Sequence, residues 1–145
     1  MNLEKYPVVS IDEHLVYEFL SEGPMGAIKK IIYFQQVNGN LFNLLFGDWK
    51  EEEQMIDDMA RSNNNDRNKV IATVASTVFD FLKHYPEAVV FIKGSTHSRT
   101  RLYQIGILTN WHEISQLLII EGFRNNNWEF IEKQRNYLAF LVRTK

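Results

Sequence analysis

Residues 66–92 read DRNKVIATVASTVFDFLKHYPEAVVFI, and the fold turns on this stretch. Val70, Ile71, Val74, Ala75, Val78, Phe79 and Leu82 recur at steps of one, three and four, laying an apolar stripe along one side of a helix. Asp66, Arg67, Thr73, Thr77, Asp80 and Lys83 fall off that stripe. Lys83 and His84 bring positive charge to the end where the helix dipole favours it, and Pro86 prevents continuation. The spacing predicts a helix over 66–84, entered through Ser62-Asn63-Asn64-Asn65, whose side chains are of the capping type. Ala88-Val89-Val90-Phe91-Ile92 is then a short unbroken apolar run, which reads as a strand covered on both faces and central in its sheet.

Towards the N-terminus, Leu15 to Phe19 and Ala27 to Val37 are rich in β-branched and aromatic residues, with the turn signal Gly23-Pro24-Met25-Gly26 between them. Asn38-Gly39 suits the positive dihedrals of a tight hairpin turn and separates the second run from Asn40 to Phe46. A three-stranded antiparallel meander is expected there, followed by the acidic stretch Lys50 to Asp58. Towards the C-terminus, the segment from Arg99 to Leu108 is ambiguous: the alternation of Tyr103, Ile105 and Ile107 would suit a strand, but the cap residues before it and the apolar positions Leu102, Ile105, Leu108 and Trp111 favour a second helix reaching about Gln116. Strands are expected near 117–122 and 137–142, separated by the turn Arg124-Asn125-Asn126-Asn127 and a polar connection. The order βββ-α-β-α-ββ gives one α+β domain over 1–145, with a largely antiparallel sheet and about two helices packed on one face.

The 145 residues, 45% hydrophobic and 23% charged, suit one ordinary globular unit and exclude wholesale disorder. Cysteine is absent, so disulfides and thiolate metal sites are excluded. No run approaches a membrane span, and MNLEKYPVVSIDEH has no charged-then-apolar leader, so the cytoplasm is the expected compartment. The net charge of −2 conceals an asymmetry: residues 1–87 carry 8 Lys and Arg against 14 Asp and Glu, and residues 88–145 carry 8 against 4. The second part alone is suited to anions.

A strand that ends in a small polar loop and opens into a helix gathers unpaired backbone N–H groups and the positive end of the helix dipole at one place. Lys93-Gly94-Ser95-Thr96-His97-Ser98-Arg99-Thr100-Arg101 has that order. Gly94 permits close backbone approach, Ser95, Thr96 and Ser98 supply hydroxyls, and Arg99 and Arg101 supply forked donors matched to phosphate. These six residues are the candidate anion-binding set, although the spacing is not that of a nucleotide P-loop. A helix start whose arginines pair with acidic residues of the first half would look the same in sequence. His97 and Tyr103 are the nearest proton-transfer groups, and no catalytic residue is identified.

Neither a cofactor nor a metal is expected. His14, His84, His97 and His112 are widely spread, and His112-Glu113-Ile114-Ser115-Gln116 lacks the final histidine of the H-E-x-x-H zinc pattern. Asp48, Glu51, Glu52, Glu53, Asp57 and Asp58 read as a solvated acidic face. Most aromatics fall where a core takes them, and Trp49, Trp111 and Trp128 read as sheet-edge packing rather than a base-stacking surface.

Ser62-Asn63-Asn64-Asn65-Asp66-Arg67, Gly94-Ser95-Thr96-His97-Ser98-Arg99-Thr100-Arg101-Leu102-Tyr103 and the closing Tyr137 to Val142 resemble a family of short, uncharacterised bacterial proteins, marked by an N-N-x-D-R helix start and a G-S-T-x-x-R-T-R-L-Y loop. The resemblance implies no activity. It implies that the two segments belong to one design, with Asn64, Asp66 and Arg67 meeting the loop and Asp66 orienting or neutralising Arg99 or Arg101. The expected function is binding of RNA or a nucleotide at this place; the alternatives are a non-catalytic interaction module and, with less behind it, a small toxin-like nuclease. A homodimer is expected as well, because Leu41, Phe42, Leu44, Leu45 and Phe46 make both faces of the meander's last strand apolar and one helix layer covers only one.

Overall fold

The computed structural model describes residues 4–59 and 63–145. Its strands and helices run β1 (Val9–Ile11), β2 (Val16–Gly23), β3 (Gly26–Asn38), β4 (Leu41–Lys50), β5 (Met55–Asp57), α1 (Arg67–His84), β6 (Val89–Ile92), α2 (His97–Thr109), α3 (Trp111–Leu117), β7 (Leu118–Arg124), β8 (Asn127–Phe130) and β9 (Ala139–Thr144). All the strands join one sheet in the order β1-β2-β3-β4-β6-β9-β7-β8, with β5 added to the C-terminal half of β4. Every described pairing is antiparallel except that of β4 with β6, the strand α1 returns. The protein is an α+β fold in the order the sequence predicts, with β1, β5 and β8 added and the last helix divided.

The central meander follows from its turns. Gly39 at φ 54° closes β3 onto β4, and Gly26 at φ 84° closes β2 onto β3, both conformations that favour glycine. Residues Tyr17, Phe19, Ile32, Phe34, Phe42, Leu44, Val90, Phe140 and Val142 occupy one face and are buried. Helix α1 packs on that face through Val74, Val78, Phe81 and Leu82, with the Phe81 ring stacked on Phe34 at 4.1 Å. β6 lies at the middle of the sheet as expected, Val90 and Ile92 buried on the helix side and Phe91 half-buried on the other.

Two local expectations are amended. Thr73 and Thr77 lie off the apolar stripe, yet both are fully buried. Each hydroxyl satisfies itself by donating to a carbonyl of its own helix, Thr73 to Lys69 at 2.7 Å and Thr77 to Val74 at 2.7 Å. Thr73 also accepts from the Tyr6 backbone at 2.9 Å, which ties the N-terminal segment across α1. The helix after the arginine loop breaks at Asn110, whose backbone N–H and side-chain amide both return to the Gly106 carbonyl.

Candidate functional site

The starts of α1 and α2 both line a cavity of about 230 Å³ over β3 and β4. Phe46, Val70, Ile71 and Leu102 give it an apolar wall; Lys30, Asp48, Asp57, Asn63, Asp66, Arg67, Arg99 and Tyr103 give it a polar one. Gly47 lies in this wall, and a Cβ there would overlap the Asp57 backbone, so glycine lets β5 approach.

The loop between β6 and α2 is built by its own hydroxyls. Thr96 caps α2 by accepting from the Arg99 backbone at 3.2 Å, and Thr100 accepts from the Gly94 N–H at 2.9 Å. Gly94 is buried so tightly against the first turn of α2 that a Cβ would meet the backbone N of Thr100 at 2.5 Å. Ser95 Oγ donates to the Asp58 carbonyl at 2.7 Å, and the Arg99 guanidinium donates to that same carbonyl and to Ser95 Oγ. Arg99 thus reaches the cavity while braced against residue 58. His97, Ser98 and Arg101 are exposed on the first turn of α2 and do not line the cavity.

At the other helix start, Asp66 meets neither Arg99 nor Arg101 among the contacts of the described residues. Its carboxylate accepts from Tyr6 at 2.6 Å and from Ser21 at 2.5 Å. Buried Asn64 donates to the Ser21 and Gly26 carbonyls and accepts from the Met25 N–H at 2.8 Å, so this segment is fastened to the β2–β3 hairpin. Ser62 lies outside the described residues. Arg67 is exposed, and it has no ion-pair partner among the described residues.

Sequence reasoning missed Lys30 and placed Asp48 on a solvated acidic face, whereas both are buried. They are register partners on β3 and β4, point towards the helices, and form a buried ion pair at 2.5 Å. The signal was a lysine inside the apolar run Ala27–Val37, but its partner stands 18 residues away and only the hairpin register pairs them. The cavity's carboxylates are therefore engaged internally: Asp48 by Lys30, Asp66 by two hydroxyls, and Asp57 by the Met59 N–H at 3.0 Å. Tyr103 differs, since its hydroxyl has no hydrogen-bond partner among the described residues. Burial pushes that hydroxyl up to about 12, the charge of Arg99 opposing the shift and Asp58 adding to it. The cavity sets two guanidinium groups and a phenol hydroxyl beside an apolar wall; among the described residues it shows no nucleophile–base pair.

Among known proteins, one family model matches residues 2–145, that of a family of unknown function (DUF6934). No curated protein and no solved structure matches.

Proposed function

The chain belongs to this family of unknown function, which brings no activity with it, and from the geometry of the cavity we propose that the protein binds a small phosphate-bearing ligand of nucleotide type between the starts of α1 and α2. The observation that carries this reading is the pairing of Arg67, which has no ion-pair partner among the described residues, with the unpartnered Tyr103 hydroxyl on the wall of one cavity whose carboxylates are already engaged. Arg99 adds a second guanidinium braced by Asp58 and Ser95. A phosphate takes forked guanidinium donors, and the apolar wall of Phe46, Val70, Ile71 and Leu102 takes a ring. A nucleotide is favoured over an RNA strand because a cavity of about 230 Å³ takes one compact ligand rather than an extended strand.

Calorimetric titration with nucleoside monophosphates, inorganic phosphate and a short single-stranded RNA tests the reading. Arg67→Ala and Arg99→Ala each weaken nucleotide binding by about tenfold or more, equivalent to ~1.4 kcal/mol, and Arg101→Ala changes it little. Absence of binding to every probe at low salt rejects the proposal. Binding to RNA alone, falling steeply with salt, rejects the nucleotide in favour of a strand.

A second reading has its own observation. On the helix-free face of the sheet, Leu45, Phe91, Phe123 and Leu141 are half-buried, and Trp128 stands 6.3 Å from Phe91 and 5.1 Å from Phe123. We infer that two copies pair through this apolar row, which no helix covers among the described residues.

A further inference from the structure

His14 and His84, seventy positions apart in the chain, lie with their rings stacked at 3.6 Å beside Asp80. His14 Nδ1 is 3.1 Å from Asp80 Oδ2, and His84 Nδ1 is 3.7 Å from the same oxygen. One ligand atom from each of the three residues fits within a span of 4.8 Å. Tyr17 donates to that carboxylate oxygen at 2.6 Å from the buried side. We propose that His14, Asp80 and His84 form a binding site for a single divalent transition-metal ion of the zinc type, with Tyr17 orienting the carboxylate.

The donor set is the first argument. Two imidazoles and a carboxylate suit borderline ions such as Zn²⁺ and Co²⁺, whereas Mg²⁺ and Ca²⁺ prefer oxygen donors alone. The second argument is the backbone. Asp12, Glu13 and His14 all adopt positive φ, at 52°, 56° and 68°, a left-handed run that costs free energy at each non-glycine residue. The run is held from the far side by Tyr85, whose hydroxyl donates to the Glu13 carbonyl at 2.7 Å. Its effect is to swing His14 over the end of α1, where the one-turn spacing of Asp80 and His84 supplies the other donors. The third is access: the three side chains are 34%, 40% and 41% exposed, leaving room on the solvent side for water to complete the coordination. To bind the ion, His84 exchanges its present hydrogen bond to the Asp80 carbonyl, at 2.9 Å, by rotation about its own side-chain bonds.

The untagged full chain is titrated with Zn²⁺ by calorimetry and with Co²⁺ by visible absorption. The proposal expects one ion per chain and an intense Co²⁺ band that Zn²⁺ abolishes. His14→Ala, His84→Ala and Asp80→Asn each weaken binding by at least tenfold, while His97→Ala with His112→Ala leaves it unchanged. His84 lies on the surface at the last turn of α1, so its replacement preserves the fold if Asp80→Asn does not; circular dichroism in chelator checks this. No uptake at millimolar metal, uptake lost with His97 and His112, or equal thermal stability of the wild type in zinc and in chelator overturns the proposal and leaves a purely structural clamp.

Discussion

Tyr103 concentrates the chemistry of the cavity in one hydroxyl. Its ordinary value is 10.0 and burial carries it to about 12, so between these pH values the unfolded chain releases a proton that the folded chain retains. Its contribution to stability is complete below pH 10 and is lost as pH rises towards 12. Tyr103→Phe removes that part of the alkaline destabilisation, which denaturant melts across the range measure, and costs little near neutrality because no hydrogen bond is broken. Asp66→Ala does the opposite: it leaves the fully buried Ser21 hydroxyl without its acceptor and costs about 2–3 kcal/mol in a chemical melt. Sequence reasoning named Asp66 and Arg67 through the family resemblance, Arg99 through the loop that opens α2, and Tyr103 as a proton-transfer group beside that loop. It assigned Asp66 to an arginine because the two segments were thought to meet through their charges; Ser21 and Tyr6, its actual partners, give no sign in a linear reading. Arg101 looked equivalent to Arg99, but two positions on a helix are about 200° apart, so only one of the pair faces the cavity.

The elements are fastened to each other by a few buried polar residues, and these carry predictions of their own. Gln104 on α2 is 3% exposed; its amide donates to the Arg135 carbonyl at 2.5 Å and its oxygen accepts from the Tyr137 N–H at 3.1 Å. One helix side chain therefore fastens the connection between β8 and β9 to α2. Gln104→Leu strands both backbone groups and lowers stability by about 2–4 kcal/mol, visible as loss of amide-exchange protection at Tyr137 ahead of global unfolding. Lys30 and Asp48 are coupled across the hairpin: Lys30→Met removes the 2.5 Å ion-pair partner of a buried carboxylate and costs about 3–5 kcal/mol, and adding Asp48→Leu recovers part of it. A double-mutant cycle in urea reads the difference. The helix over 67–84 was legible because seven apolar positions kept one period. β5 and β8 were not, because each is only three or four residues long and is defined by the neighbour it pairs with. Thr73 and Thr77 were misplaced for a related reason: a threonine that satisfies its hydroxyl within its own helix packs as an apolar residue, and composition alone counts it as polar.

The whole molecule is an asymmetric layer, helices over one face of a sheet whose other face shows Leu45, Phe91, Phe123 and Leu141. If two copies pair through that row, Phe91→Glu yields a particle of one chain, 17.1 kDa, while the wild type scatters as two; a wild-type mass near 17.1 kDa at micromolar concentration rejects the dimer. The α+β class and the strand and helix order were legible because turns and periods are local, and local signals survive in sequence. The cavity was only half legible, since its two helix starts are motifs but its floor is made by the register of β3 on β4. In the proposed function this cavity, and not the exposed first turn of α2, receives the nucleotide. Backbone amide shifts followed during titration with a nucleoside monophosphate test it most directly. Saturable shifts are expected at Arg67, Val70 and Ile71, at Arg99 to Tyr103, and at Phe46 to Asp48, all lost in Arg67→Ala; shifts confined to His97, Ser98 and Arg101, or none at saturating nucleotide, would overturn the proposed site.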